Sequence, residues 1–270
     1  WSSDVCSSDL LPTYDELASM IDHSLLHPTL TDAELRAGCE LAARYRVASV
    51  CIKPHAVAQA VEWLEGSGVA VGTVVGFPHG STPPEIKSRE TDLACADGAT
   101  EIDMVLNLGK ALGGDWEFVE AEIRGVCEIA HRHGARVKVI LENDYLGDGG
   151  AGLEGDELKR TLCRLCERAG ADWVKTSTGF GFVKQPGGGY NYRGATEHDL
   201  ALMRAAVSGQ VQVKAAGGVR DLDGLLRVRA LGASRCGATA TAAMLDEYRR
   251  REATGGAGVS SDSKLGTGGY

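Results

Sequence analysis

Residues 170–179 read GADWVKTSTG: a glycine and an alanine, a short apolar run, a lysine, then small hydroxyl residues and a glycine. The same Gly-Ala pair stands directly before apolar runs at 98–99, 134–135 and 232–233. A glycine just past the end of a helix adopts the left-handed conformation that caps it, and in short connections the next strand begins at once. The stretch therefore predicts a junction between a helix and a buried strand, repeated along the chain.

Amphipathic helices are predicted between these junctions. Two stretches place apolar residues three or four positions apart, which is typical of a helix with one buried stripe. The members are Trp116, Val119, Ile123, Val126 and Ala130 in the first stretch, and Leu158, Leu162, Leu165 and Ala169 in the second. Thr31 and Glu34 form a capping-box pattern, and Pro84 stands where the first turn of another helix is expected.

Eight strands are predicted, each followed by a helical stretch. They cover residues 20–25, 48–53, 69–76, 100–106, 136–142, 171–177, 211–216 and 233–237. Strands that alternate with helices indicate a parallel sheet of the α/β class, and several of these strands are apolar on both faces, as buried parallel strands are. Eight such units predict a closed (β/α)8 TIM barrel in a single domain. An open doubly wound sheet is the alternative, weakened because no G-x-G-x-x-G follows the first strand.

The barrel is expected to occupy residues 11–252. Residues 1–10, WSSDVCSSDL, are interpreted as an artefactual or cloning-derived segment, and residues 253–270 as a flexible Gly/Ser-rich tail. The net charge of −9 argues against a general binder of nucleic acid or of anionic membranes. No apolar run approaches the roughly 20 residues of a membrane span. The cysteines are scattered along the chain, and we therefore expect a protein with reduced cysteines in the cytoplasm. The single Cys-x-x-Cys at Cys163 and Cys166 lacks a second ligand pair, and metal or redox use is not expected.

Ionisable residues end several of the predicted strands, where barrels of this kind carry their chemistry. They include Asp22, Asp103, Lys138, Glu142, Lys175 and Lys214. Burial and a neighbouring ammonium both lower the pKa of a lysine, and a neutral amine forms Schiff bases with carbonyl compounds. Lys175 and Lys214 on neighbouring strands therefore predict Schiff-base chemistry, with Asp103 as a proton shuttle. The alternative is that each lysine forms a structural ion pair; for Lys138 and Glu142, a structural pair and a proton relay are both open.

Glycine-rich loops follow the last three predicted strands. They read TSTG at 176–179, AGGVR at 216–220 and CGATA at 236–240. In such barrels the loops after strands 7 and 8 often bind phosphate through backbone N–H groups and a helix N-terminus. We expect a phosphorylated ligand here, with hydroxyl donors from Thr178 and Thr239. Arg220 is open to two interpretations, as a charge for the phosphate or as a helix cap or surface pair.

Several segments together resemble one known family, the deoxyribose-phosphate aldolases. The matching segments include IDHSLL (21–26), VVGFPHG (74–80), GATEIDMVLNLG (98–109), GADWVKTSTGF (170–180) and VKAAGGVR (213–220). The resemblance implies a class I aldolase, without metal or cofactor, that reversibly cleaves 2-deoxy-D-ribose 5-phosphate to acetaldehyde and D-glyceraldehyde 3-phosphate. It implies that Lys175 forms the Schiff base, that Lys214 lowers its pKa and that Asp103 transfers protons. The implied phosphate ligands are Gly179, Gly217, Gly218, Gly237 and Thr239, and the implied lining residues are Asp22 and Cys51.

Two features depart from that family pattern or extend it. The loop at 180–196 is several residues longer than the usual link, and its Lys184 and Arg193 belong either to a lid or to surface decoration. Tyr270 resembles a terminal tyrosine that reaches the active site in some members, so the tail is expected to fold over the mouth transiently.

The family also suggests a homodimer. The alternatives are another lysine-dependent aldolase or transaldolase-like enzyme acting on a different phosphorylated sugar, and a sugar-phosphate-binding barrel without catalysis.

Overall fold

The computed structural model of the chain describes residues 12–147, 149–184 and 187–254. Eight parallel strands form the barrel: β1 (Ile21–Leu25), β2 (Ser49–Ile52), β3 (Ala70–Val75), β4 (Glu101–Val105), β5 (Arg136–Ile140), β6 (Trp173–Lys175), β9 (Gln212–Ala216) and β10 (Ala233–Ala238). Two short strands, β7 (Val183–Lys184) and β8 (Tyr190–Asn191), pair antiparallel as a separate hairpin. The helices are α1 (Tyr14–Ala18), α2 (Asp32–Tyr45), α3 (Val57–Trp63), α4 (Pro84–Ala96), α5 (Leu108–Leu112), α6 (Trp116–Arg132), α7 (Gly155–Arg168), α8 (Glu197–Ala206), α9 (Leu222–Ala230) and α10 (Thr241–Thr254).

The sheet closes on itself in the order β1-β10-β9-β6-β5-β4-β3-β2. Closure is made by the first and last strands, because Ile21 of β1 pairs in parallel with Cys236 of β10. The predicted (β/α)8 barrel is therefore confirmed, and the open doubly wound sheet is wrong. Within the described part of the chain, no helix combines the length and the apolar character that crossing a membrane requires.

The signals read from the sequence account for the helix ends. The side chain of Thr31 accepts a hydrogen bond from the N–H of Glu34, whose carboxylate binds back to residue 31, so the capping box is formed. Gly98, Gly134, Gly170 and Gly232 all have φ values between 75° and 101°, the left-handed conformation expected of a glycine past a helix end. The apolar stripes of α6 and α7 are buried against the barrel.

The Gly134→Ala variant measures what one of these junctions contributes. Gly134 has φ 75°, and a Cβ atom there would meet no atom within 4 Å, so the substitution introduces backbone strain alone. We expect the free energy of unfolding to fall by about 1 kcal/mol in urea titrations. Gly80→Ala should cost more, because its Cβ would lie 1.9 Å from the carbonyl oxygen of Leu106. Unchanged or increased stability of Gly134→Ala would contradict the capping role.

Most observed strand boundaries lie one or two residues from the predicted ones, and three further differences have a physical reason. Strand β6 spans Trp173–Lys175 rather than 171–177, since Thr176 turns its hydroxyl onto the carbonyl of Ala216 at 2.9 Å. The β7–β8 hairpin was not predicted, because strands of two residues are too short to show alternation. Helix α10 continues to Thr254, past the predicted barrel end at 252, and the Thr254 hydroxyl bonds back to the carbonyl of Arg250. Residues 1–11 and 255–270, and with them the prediction for Tyr270, lie outside the described residues.

Candidate active site

The register of two neighbouring strands places the predicted lysines side by side. Lys175 of β6 and Lys214 of β9 are partners across the ladder. The Nζ atoms of both lysines donate to the same oxygen, Oδ2 of Asp103, at 2.7 Å each. All three side chains are buried, and both lysines line one pocket at the carboxyl end of the barrel. Schiff-base chemistry and a structural ion pair were the two interpretations of the lysines. The structure is compatible with both, because the lysines form ion pairs and also border a cavity.

Different surroundings give the two amines opposite pKa shifts. Burial lowers the pKa of Lys175, the charge of Asp103 opposes this, and the ammonium of Lys214 lowers it further. Burial acts in the same direction on Lys214, but Asp103 and Asp22, at 2.7 and 2.6 Å, outweigh it and raise the pKa of Lys214 well above its ordinary value. Lys214 is therefore the permanent cation, and Lys175 is the amine that releases its proton more easily.

Asp103 is an ionised carboxylate, and one of its two oxygens accepts no hydrogen bond from the described residues. Burial opposes its ionisation, but the charges of Lys138, Lys175 and Lys214 prevail and hold its pKa well below the ordinary range. Its Oδ1 atom lies 3.2 Å from Nζ of Lys138 without hydrogen-bond geometry, and no described residue donates a hydrogen bond to it. Oδ1 is buried and Asp103 does not line the pocket, so Asp103 acts on a molecule there through Lys175, which shares its Oδ2 atom.

A second layer of charged residues lies below these three side chains. Arg235 binds Asp22 at 2.5 Å and Glu101 at 2.7 Å, and Lys138 binds Asp22 at 2.8 Å. The ring of Trp173 lies 5.4 Å from the guanidinium carbon of Arg235. Sequence analysis did not single out Arg235, Glu101 or Trp173. Side chains two positions apart on a strand point to the same face, so this alternation would have identified the three residues. Arg235 precedes Gly237, Glu101 precedes Asp103 and Trp173 precedes Lys175 by two positions, and all of them point into the barrel.

Charge balance in this cluster favours a neutral Lys175. The carboxylates are Asp22, Glu101 and Asp103, and the buried basic groups are Lys138, Lys175, Lys214 and Arg235. Arg136, half exposed, also contacts Glu101 at 3.3 Å from the solvent side. A buried charge without a counter-charge is costly, and four buried cations face only three carboxylates. When Lys175 is neutral, the buried charges are equal in number.

Of the two interpretations left open for Lys138 and Glu142, the structural pair does not form. Lys138 binds Asp22, Glu101 and Asp103, whereas Glu142 accepts hydrogen bonds from Thr178, including its N–H at 3.1 Å. The two carboxyl-end residues diverge because Glu142 leaves the strand with a left-handed backbone, φ 54°. Burial raises the pKa of Glu142 to about 7.

Glu142 should make stability depend on pH. Its pKa in the folded protein, about 7, lies above its ordinary value of 4.5, so between these values the folded state holds a proton that the unfolded state has released. This contribution to the free energy of unfolding is fully present below pH 4.5 and is lost as pH rises through 7; we expect it to reach roughly 3 kcal/mol. Urea titrations measure the free energy of unfolding of the unmodified chain and of Glu142→Gln, each below pH 4.5 and above pH 7. Identical pH dependence in the two proteins would exclude this role of Glu142.

The pocket above the lysines has a volume of about 280 Å³. Its lining includes Lys175, Lys214, Asp22, Cys51, Thr178, Gly179, Gly217, Gly218, Gly237, Thr239 and Arg220. One side is apolar, where Leu26 and Cys51 pack with Val74, Phe77 and Phe180. The other side is formed by the glycine loops, and Thr239 stands two residues before the first residue of α10, so backbone N–H groups of a helix end adjoin it. Such a cavity suits a small molecule with a carbonyl at one end and an anion at the other.

Two predicted residues lie elsewhere. Lys184 and Arg193 line a neighbouring cavity of about 560 Å³, together with Asp144 and His198. Among the described residues of the long loop, Tyr192 lines the main pocket, and it was not among the predicted site residues. No three His, Cys, Asp or Glu side chains among the described residues are grouped to hold a metal ion. Cys163 and Cys166 are buried on α7, and burial raises the pKa of Cys163 to about 12.

Comparison with known proteins identifies the family of the chain. The profile of the DeoC/LacD family aldolases matches residues 17–260. A deoxyribose-phosphate aldolase from Rhodopirellula baltica is 49% identical over 238 residues, which cover 88% of this chain and 91% of the relative. One from Aciduliprofundum boonei is 41% identical over 231 residues, covering 86% and 96%. The solved structure of a tetrameric deoxyribose phosphate aldolase from Aeropyrum pernix superposes with a TM-score of 0.75 at 31% identity, covering 88% of this chain and 93% of that one. The chain therefore belongs to the DeoC/LacD family of aldolases.

Proposed function

We propose that this chain is a class I aldolase that reversibly cleaves 2-deoxy-D-ribose 5-phosphate to acetaldehyde and D-glyceraldehyde 3-phosphate. The observation that carries the proposal is the shared carboxylate of Asp103. It holds a permanently charged Lys214 beside Lys175, whose pKa is lowered, at the floor of a pocket. Binding alone does not need a deprotonated amine, so the arrangement favours covalent chemistry over a non-catalytic barrel.

The proposed reaction begins with the neutral amine of Lys175. It adds to C1 of the open-chain sugar, and loss of water gives an iminium ion. A base then removes the proton of the C3 hydroxyl, the C2–C3 bond breaks, and its electrons move into the iminium to form an enamine while D-glyceraldehyde 3-phosphate leaves. Protonation of the enamine at C2 and addition of water release acetaldehyde and restore Lys175.

Asp103 and Lys214 are the proposed partners in these proton transfers. The Oδ2 atom of Asp103 accepts a hydrogen bond from the amine of Lys175 and is proposed to take or return a proton there, directly or through water. Lys214 helps to hold the pKa of Asp103 low and, together with burial, lowers the pKa of Lys175. At the far side of the pocket, the glycine loops and Thr239 are proposed to hold the phosphate through backbone and hydroxyl donors.

The catalytic unit is proposed to be the barrel at 11–252, working in the cytoplasm as a homodimer. The lid roles of Lys184 and Arg193 and the contact of Tyr270 with the mouth stay predictions. The molar mass measured by light scattering, as the protein elutes from a size-exclusion column, tests whether it is a dimer.

A steady-state assay on 2-deoxyribose 5-phosphate tests the activity. We expect equal amounts of acetaldehyde and D-glyceraldehyde 3-phosphate, with D-ribose 5-phosphate as the matched control sugar that differs only at C2. Failure to cleave 2-deoxyribose 5-phosphate, together with cleavage of another phosphorylated sugar, would assign the site to a different lysine-dependent aldolase.

A further inference from the structure

The segment that follows β8 is fastened to the barrel from two sides. On one side the carboxylate of Asp144, in the loop after β5, accepts hydrogen bonds from the N–H groups of Arg193 and Gly194 at 2.6 and 3.0 Å. On the other side the carbonyl of Gly217, in the loop after β9, accepts one from the N–H of Ala195 at 3.0 Å. The segment is thus positioned by the loops after β5 and β9, and β9 carries Lys214.

The backbone of this segment lies directly against the glycine loop of the pocket. A Cβ atom on Gly194 would lie 2.5 Å from the carbonyl oxygen of Gly217, and a Cβ on Gly217 would lie 2.9 Å from Cα of Gly194. Both residues also have positive φ, 70° and 89°. Contact this close requires glycine on both sides. The hairpin and the glycine loop therefore form one packed unit.

Tyr192 is the side chain that this packing turns into the pocket. It is 6% exposed, whereas Tyr190, two residues earlier on the same hairpin, is 65% exposed. The ring packs edge-on against Phe182, with centroids 5.6 Å apart, and its Cε2 atom lies 3.4 Å from the Cβ position of Gly217. Tyr192 shares the pocket lining with Gly217, Gly218 and Thr239.

We propose that Tyr192 is a specificity-determining residue, whose ring closes the glycine-lined end of the pocket and selects phosphorylated over unphosphorylated ligands. The ring covers the glycine loop and keeps water from one side of an anion bound there. Hydrogen bonds from backbone N–H groups to that anion are stronger when water is excluded. The assignment of the ligand as a sugar phosphate rests on the proposed function, but the closing role of the ring rests on the contacts described above.

Calorimetric binding of glycerol 3-phosphate tests this inference without turnover, because this ester has no carbonyl to react with Lys175. We expect Tyr192→Ala to raise its Kd at least tenfold and Tyr192→Phe, which keeps the ring, to change it less than about threefold. The matched control Tyr190→Ala, at the exposed position, should stay within about twofold. If Tyr192→Ala does not fold, Tyr192→Leu takes its place with the same expectation.

Unchanged binding in Tyr192→Ala would overturn the inference, as would equal loss in Tyr192→Phe and Tyr192→Ala, which would assign the effect to the hydroxyl. Absence of glycerol 3-phosphate binding to the unmodified chain would also overturn it. Binding that depends on Tyr192 in a chain that does not cleave 2-deoxyribose 5-phosphate would support the inference and contradict the proposed function.

Discussion

Replacing Lys175 with alanine is expected to lower turnover of 2-deoxyribose 5-phosphate by about 10⁴-fold or more, the scale reached when an enzyme loses its nucleophile. The amine is the one group in the proposed reaction that bonds to the substrate carbon, so no neighbour can replace it. The fold should persist, since Asp103 keeps its contacts with Lys214 and Lys138 when Lys175 is removed.

The control for this variant is Lys110→Ala. Lys110 is a half-exposed lysine on α5 that pairs with Asp115 and does not line the pocket. Its removal takes away one positive charge from the chain but should leave turnover within about twofold. Circular dichroism of both variants reports the fold. Turnover of a folded Lys175→Ala at more than a hundredth of the unmodified rate would contradict the Schiff-base role.

Replacing Lys214 with alanine is expected to move the acid limb of the kcat/KM profile to higher pH by about one unit or more, and to lower the maximal rate. The activity needs neutral Lys175, so it rises with pH through the pKa of that amine. Lys214 lowers this pKa by repulsion and also shares the negative charge of Asp103. Without it, the repulsion is lost and the Oδ2 atom of Asp103 is no longer shared with a second lysine, and both changes raise the pKa of Lys175.

Lys214→Arg is the matched variant for this prediction, because it keeps a permanent positive charge beside Asp103. Its acid limb should stay near that of the unmodified chain, even if the larger side chain lowers the rate. The pH profiles of all three proteins are measured on the same substrate. An acid limb that stays in place in Lys214→Ala would show that repulsion from Lys214 does not set the pKa of Lys175.

The sequence was enough for the barrel and for the three residues at its centre. Gly-Ala junctions such as Gly170-Ala171 mark the point where a strand begins, and the period of the apolar residues marks the helices. Once eight units are counted, the topology places Lys175 and Lys214 on neighbouring strands. Their common partner Asp103 was expected at a strand end, but it lies in the middle of β4 and reaches both amines across the barrel.

The periodicity of the sequence could not predict which side chains contact each other across the barrel. Lys138 and Glu142 are four positions apart on one predicted strand, which suggested a pair, but β5 ends at Ile140, the chain turns at Glu142 and the two side chains take different partners. Arg235 reaches Asp22 and Glu101 from strands far apart in the sequence. Tyr192 enters the pocket only because Gly194 and Gly217 let two backbones touch, and that contact has no periodic signature.

The central claim is that Lys175 is neutral often enough near pH 7 to bond to carbon. Treating the full chain with acetaldehyde and borohydride at that pH, then mapping the ethylated lysines by peptide mass spectrometry at short times, tests it directly. The account predicts that the peptide containing Lys175 is labelled first, with Lys214 and Lys138 unlabelled and Lys110 labelled at the slow rate of a surface amine. Labelling of Lys175 no faster than Lys110, or labelling of Lys214 in its place, would contradict the account.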